Sequence, residues 1–167
     1  MTFELNFTKR EVIMVNPMSL IEAQAKYGGI HNGVWGNEAK FCQLIDIPEE
    51  IGGSWINTVT HAYVDHIYCN KDFAPHLLAA LSNVKNANLL HELKSFDGCY
   101  EIRDVRAQPG SISCHSYAMA IDINAFENQM GHPTSFSPEF VECFKKAGFI
   151  WGGNFKRCDP MHFTLGW

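Results

Sequence analysis

A chain of 167 residues with 46% hydrophobic content can fill one sizeable core, and it reads as a single domain spanning residues 1–167. Its formal net charge of -5, from 13 basic and 18 acidic residues with no long run of either sign, argues against nonspecific attraction to nucleic acid or to an anionic membrane. No apolar run approaches the roughly 18 residues that a membrane span needs, so no stable membrane association is expected.

The opening stretch, MTFELNFTKREVIMVNPMSL, lacks a basic region followed by an apolar core and a small-residue cleavage site, so a chain made without a signal peptide is expected. Residues 1–53 are rich in Gly and Asn and weakly periodic, which predicts a less regular N-terminal part with turns around a few aromatic anchors. Residues 72–86, DFAPHLLAALSNVKN, then place Leu77, Leu78, Leu81 and Val84 at helical spacing, with Pro75 tolerable in the first turn. GCYEIRDVR, residues 98–106, alternates as a strand with one wet face.

AMAIDI predicts a further strand, with Ala118, Ala120 and Asp122 on one side and open space above the aspartate. SPEFVECFKKAG is a short helix with Ser137 as cap, Pro138 at its first position, lysines late and Gly148 closing it. FIW and MHFTL are short strand candidates near the end. The six cysteines, at 42, 69, 99, 114, 143 and 158, contain no Cys-x-x-Cys pair, so neither a zinc ribbon nor a redox dithiol is indicated, and reduced, mostly buried thiols are expected.

Two clusters carry the candidate chemistry. His115 and Asp122 lie seven apart in SISCHSYAMAIDIN, and His162 follows Asp159 by three in FKRCDPMHFTLGW. Two imidazoles and one carboxylate are ligands that give zinc three protein bonds and leave a position for water. Asp159 fits the base that takes the proton, and the pair needs an irregular backbone around Pro160. A histidine or aspartate beside glycines and serines is also a common surface turn residue, and spacing alone leaves both readings open. Cys114 and Cys158 offer a rival zinc set with His115 and His162, which would leave both aspartates unexplained.

SCHSYAMAID followed by WGGNFKRCDPMHF resembles the zinc-dependent D-alanyl-D-alanine carboxypeptidase and L-alanyl-D-glutamate endopeptidase family, most closely its bacteriophage endolysin branch. The likeness runs from about Asn70 to the end. It implies an α+β fold, a small antiparallel sheet flanked by helices of the hedgehog/DD-peptidase kind. It also implies Zn2+ held by His115, Asp122 and His162, and Asp159 as catalytic base. An arginine ahead of the first motif serves catalysis or substrate binding in that family, with Arg103 the first choice here and Arg106 the second. Ser113 belongs to the first motif, and Tyr117, Trp151 and Phe155 are candidates for the wall of a substrate groove.

The implied activity is hydrolysis of an amide in the peptidoglycan stem peptide, by a monomer that accumulates in the host cytoplasm and meets the wall after release. D-alanyl-D-alanine carboxypeptidase is the alternative bond choice, and a non-catalytic wall-binding or phage structural module the alternative class. No separate wall-binding domain is evident in the sequence. The family usually carries Gly where this chain has Ala118, so easy access to positive φ is forfeited if that position needs it.

Overall fold

The computed structural model describes residues 16–106 and 108–167. The expectation about a leader falls largely on residues 1–15, outside them. Helix α1 (Leu20–Tyr27) opens on a capping box: Ser19 Oγ accepts from the Glu22 N–H, and the Glu22 carboxylate accepts from the Ser19 N–H at 2.7 Å. The stretch expected to be less regular therefore holds this helix, the short α2 (Glu38–Phe41), strand β1 (Cys42–Asp46) and the single turn α3 (Glu49–Gly52). Its aromatic anchors are Tyr27 and Trp35, both buried, with the Trp35 indole donating to the Tyr27 carbonyl at 3.0 Å.

Strand β1 pairs antiparallel with β3 (His66–Asn70) as a two-stranded sheet. A second sheet has five strands: β2 (Ile56–Asn57), β4 (Ser95–Gly98), β5 (Ala120–Ile123), β6 (Ile150–Trp151) and β7 (His162–Thr164), in the order β2-β4-β5-β7-β6. Every neighbouring pair in it is antiparallel except β2 with β4. The architecture is α+β, as the sequence led us to expect, with the β2–β4 edge making this sheet mixed. Among the described residues no helix is long and apolar enough to cross a membrane.

Helices α4 (Ala74–Asn86) and α5 (Pro138–Lys146) pack on each other, and α5 covers one face of the larger sheet. In α4 the apolar stripe is Leu77, Leu81 and Val84; Leu78, grouped with them by spacing, falls off the stripe and is 37% exposed. Ser137 Oγ accepts from the Phe140 N–H and caps α5 as its sequence predicts. Phe140 and Phe144 then meet Phe163 of β7, the Phe144 and Phe163 ring centroids 4.3 Å apart. Since alternate residues of a strand face opposite ways, seating Phe163 on the helices turns its neighbour His162 to the other face.

One local expectation is corrected. The strand predicted at residues 98–106 is instead the shorter β4, ending at Gly98. There φ reaches 136° and the register against β5 shifts, so the chain leaves the sheet. Residues 101–105 run irregularly beside 111–115, joined by Glu101 N–H to His115 C=O and Ser113 N–H to Arg103 C=O. Open space does lie over Asp122, as expected, while Ala118 and Ala120, expected on the same face, are fully buried.

Candidate metal centre and cleft

Three backbone features deliver the ligands. Ser113 caps the 3-10 turn Cys114–Tyr117, which Ala118, at φ 53°, ψ 38°, closes by donating its N–H to the Cys114 and His115 carbonyls. That left-handed step turns the chain out of the His115 turn and straight into β5. In the β5–β7 ladder Asp122 stands opposite His162, and Ile121 opposite Phe163. The pairing that buries Ile121 and Phe163 therefore puts the carboxylate and the imidazole together on the other face.

His115 Nε2 lies 3.2 Å from Asp122 Oδ1 and 3.2 Å from His162 Nδ1, and His162 Nδ1 lies 3.0 Å from Asp122 Oδ1. All three residues are buried. A second bond fixes what these atoms offer. His115 Nδ1 sits 3.0 Å from the Cys99 carbonyl, which can only accept, so Nδ1 carries the proton and Nε2 of the neutral ring presents a lone pair. That lone pair faces a carboxylate oxygen. Burial would raise the Asp122 carboxyl, but whenever the His115 and His162 rings are protonated their charges and hydrogen bonds outweigh it and hold the group well below the usual carboxylate range.

Buried lone pairs that converge on one point favour a cation there. Tetrahedral bonds of about 2.0 Å place ligand atoms roughly 3.3 Å apart, close to the spacing seen here, so the donor set fits zinc. Among the described residues this is the one group of three His, Cys, Asp or Glu side chains whose donor atoms gather closely enough to hold an ion.

Asp159 lies outside that group. It precedes the Pro160–Met161 turn that carries the chain into β7, its carbonyl accepting from the His162 N–H at 3.1 Å. Its N–H donates to the Gly152 carbonyl at 2.8 Å. Gly152 is required here: a Cβ would stand 2.5 Å from the Asp159 carbonyl oxygen and 3.1 Å from His162 Cβ. Asp159 Oδ1 is buried with no hydrogen-bond partner. Burial, supported by the nearby Asp122 charge and opposed by His162 and Arg106, raises this carboxyl above the ordinary aspartate value.

A cleft of about 320 Å³ opens over Asp122, Asp159 and His162. Of the residues expected beside them, Arg103, Arg106, Ser113 and Phe155 line it. Two do not. Tyr117 is fully buried in the aromatic cluster, its hydroxyl donating to the Gly28 carbonyl at 2.9 Å and its ring 5.1 Å from that of Trp35. Trp151 donates from its indole to the Pro160 carbonyl at 2.8 Å and faces a separate groove beside α5, so it braces the Asp159 turn from behind.

Lys156 and Arg157 line the cleft and were missed by sequence reasoning, although they stand between Phe155 and Asp159 in the quoted motif. The rival cysteine set does not gather. Cys114 is buried and donates to the Trp167 carbonyl at 3.0 Å, burial pushing its thiol up to about 12, whereas Cys158 is half-buried near the His132 carbonyl; both are free.

No curated protein and no solved structure matches the chain. Residues 106–165 match the family model described as D-alanyl-D-alanine carboxypeptidase. The match takes in His115, Asp122, Asp159 and His162 and stops short of Arg103. The segment that builds the centre is thus similar to that peptidase family, and the similarity supports a peptide hydrolase.

Proposed function

We propose that this protein is a zinc peptidase that hydrolyses an amide bond of the peptidoglycan stem peptide. The observation that carries the reading is the pairing of a converged His115, Asp122 and His162 donor set with a buried, unpartnered Asp159 oxygen in the same cleft. A structural metal site has no use for such a carboxylate, and neither does a wall-binding module.

His115 Nε2, Asp122 Oδ1 and His162 Nδ1 would hold the ion. When bound, zinc supplies a Lewis acid for the substrate carbonyl and acidifies the attacking water. Asp159, held above the ordinary aspartate value and with Oδ1 free of protein partners, accepts the proton as the water oxygen bonds to the carbonyl carbon. The same carboxyl returns that proton to the nitrogen as the carbon–nitrogen bond breaks, so the products are a carboxylic acid and an amine, which ionise to carboxylate and ammonium. Arg103 and Arg106 lie on the cleft wall, where a guanidinium can hold substrate or offset negative charge on the carbonyl oxygen.

The finer assignment is an L-alanyl-D-glutamate endopeptidase of a phage endolysin, made in the host cytoplasm and acting on the wall after release. It rests on the sequence resemblance. The carboxypeptidase reading draws support from the description of the matched family. Mass spectrometry of digested, purified peptidoglycan decides between them: new N-terminal D-glutamate is expected, released D-alanine alone selects the carboxypeptidase, and unaltered wall overturns hydrolysis. Activity should vanish on chelation and return with zinc. A fully active protein without metal sinks the zinc assignment.

A further inference from the structure

The cleft is far more basic than the chain. Arg103 and Arg106 stand in it with Lys156 and Arg157, while among the described residues the side-chain carboxylates lining it are Asp122 and Asp159. This concentration occurs in a protein of net charge -5. Asp122 is engaged by two imidazoles, and Arg103 pairs through Nε with Glu101 at 2.9 Å. Among the described residues, Arg106, Lys156 and Arg157 have no ion-pair partner. Arg157 donates from Nη1 to the Arg106 carbonyl at 2.8 Å, which links the loop before Asp159 to the segment before the first motif and brings basic side chains from both into one cleft.

Like charges gathered around one cleft repel each other until an anion enters. A single terminal carboxylate is satisfied by one guanidinium, so one basic residue would serve a substrate of that kind. Charge contributed by two chain segments suits a ligand with carboxylates at more than one position. A D-glutamyl residue joined onward through its side chain keeps its α-carboxylate free next to the bond on its amino group, and the peptide that follows carries others.

Resting on the peptidase reading above, we propose that Lys156 and Arg157, with Arg106, select a leaving peptide bearing two or more carboxylates. Conversion of the carboxylate beside the cleaved bond to an amide suppresses recognition. Lys156 and Arg157 are specificity residues that touch substrate and leave the proton transfer to Asp159.

The test compares two synthetic peptides, L-alanyl-γ-D-glutamyl-L-lysine and its α-carboxamide, on the zinc-loaded enzyme. Cleavage rates are read on wild type, and binding by calorimetry on the Asp159→Asn protein. The acid form should be favoured on the order of tenfold or more, mainly through KM, with added salt eroding the preference. Lys156→Gln with Arg157→Gln should bring the ratio close to one, and Lys156→Arg with Arg157→Lys should restore it. Equal cleavage and equal binding of both peptides overturn this proposal and leave the peptidase standing. Preferential binding of the acid form with no cleavage of either keeps the charge selection and overturns cleavage at the L-alanyl-D-glutamyl bond, while release of D-alanine from purified peptidoglycan would keep hydrolysis. Neither binding nor cleavage overturns both this proposal and the endopeptidase assignment, and an undiminished ratio in the double Gln variant removes the roles of Lys156 and Arg157.

Discussion

His115 donates a hydrogen bond from Nδ1–H to the Cys99 carbonyl at 3.0 Å, and this single bond leaves the lone pair of the opposite nitrogen facing Asp122 and His162. Replacing His115, Asp122 or His162 with Ala therefore lowers the zinc content of purified protein from about one per chain. Asp159→Asn keeps the ion and loses roughly 100-fold or more in turnover, since it removes a proton carrier and no ligand. Elemental analysis beside activity checks both. Zinc lost from Asp159→Asn but kept by Asp122→Ala would reverse the assignments.

Ala118 holds a left-handed conformation that disfavours any side chain by about 1–2 kcal/mol. Glycine relieves that strain but adds freedom to the unfolded chain and removes a buried methyl, so Ala118→Gly is close to neutral. Ala120→Gly, at an equally buried strand position without positive φ, has no strain to relieve. Denaturant melts should show Ala118→Gly to be the milder change by about 1–2 kcal/mol; equal losses would mean that Ala118 is unstrained.

Helix α5 was legible because its cap, its first-turn proline and its closing glycine all agree, and β5 and β7 because short apolar runs flank the motif residues. The ligands were legible by resemblance, their donor atoms being brought together only by the β5–β7 register. Tyr117 and Trp151 were misplaced for a physical reason: an aromatic ring beside a motif residue suits core or groove equally, and packing against Trp35 or the Pro160 turn decides it. Lys156 and Arg157 are plain in the sequence, yet their meaning depends on Arg106, about fifty residues earlier, which no local pattern links to them. The strand predicted across Gly98 failed because one backbone angle outweighed the alternation after it.

Gly152 lies against backbone that cannot yield, since the atoms a Cβ would meet include the Asp159 and His162 carbonyl oxygens as well as His162 Cβ. Gly152→Ala should destabilise the protein by about 1–3 kcal/mol through overpacking and weaken zinc retention as the turn shifts. Gly36→Ala is the control, because a Cβ there meets nothing within 4 Å. Equal melting temperatures and zinc contents for the two would refute the close approach.

Asp72 accepts from the Tyr27 hydroxyl at 2.7 Å and pairs with Lys26 at 2.9 Å. Burial works to raise its carboxyl, but the bonds from Lys26 and Tyr27 lower it overall. A carboxyl lowered in the folded state stabilises above its unfolded value of about 3.9 and loses that contribution as pH falls through the folded value. Asp72→Asn should thus show a smaller drop in Tm than wild type between about pH 5 and pH 3. An identical drop would place the acid sensitivity elsewhere.

The cross-strand partnership of Asp122 and His162 joins positions 40 residues apart, with α5 and β6 strung between them. Closing so wide a loop is a slow, non-local event. Neither the segment up to Asp122 nor the C-terminal motif alone holds a complete ligand set. A chain arrested before that closure lacks the assembled His115, Asp122 and His162 donor set.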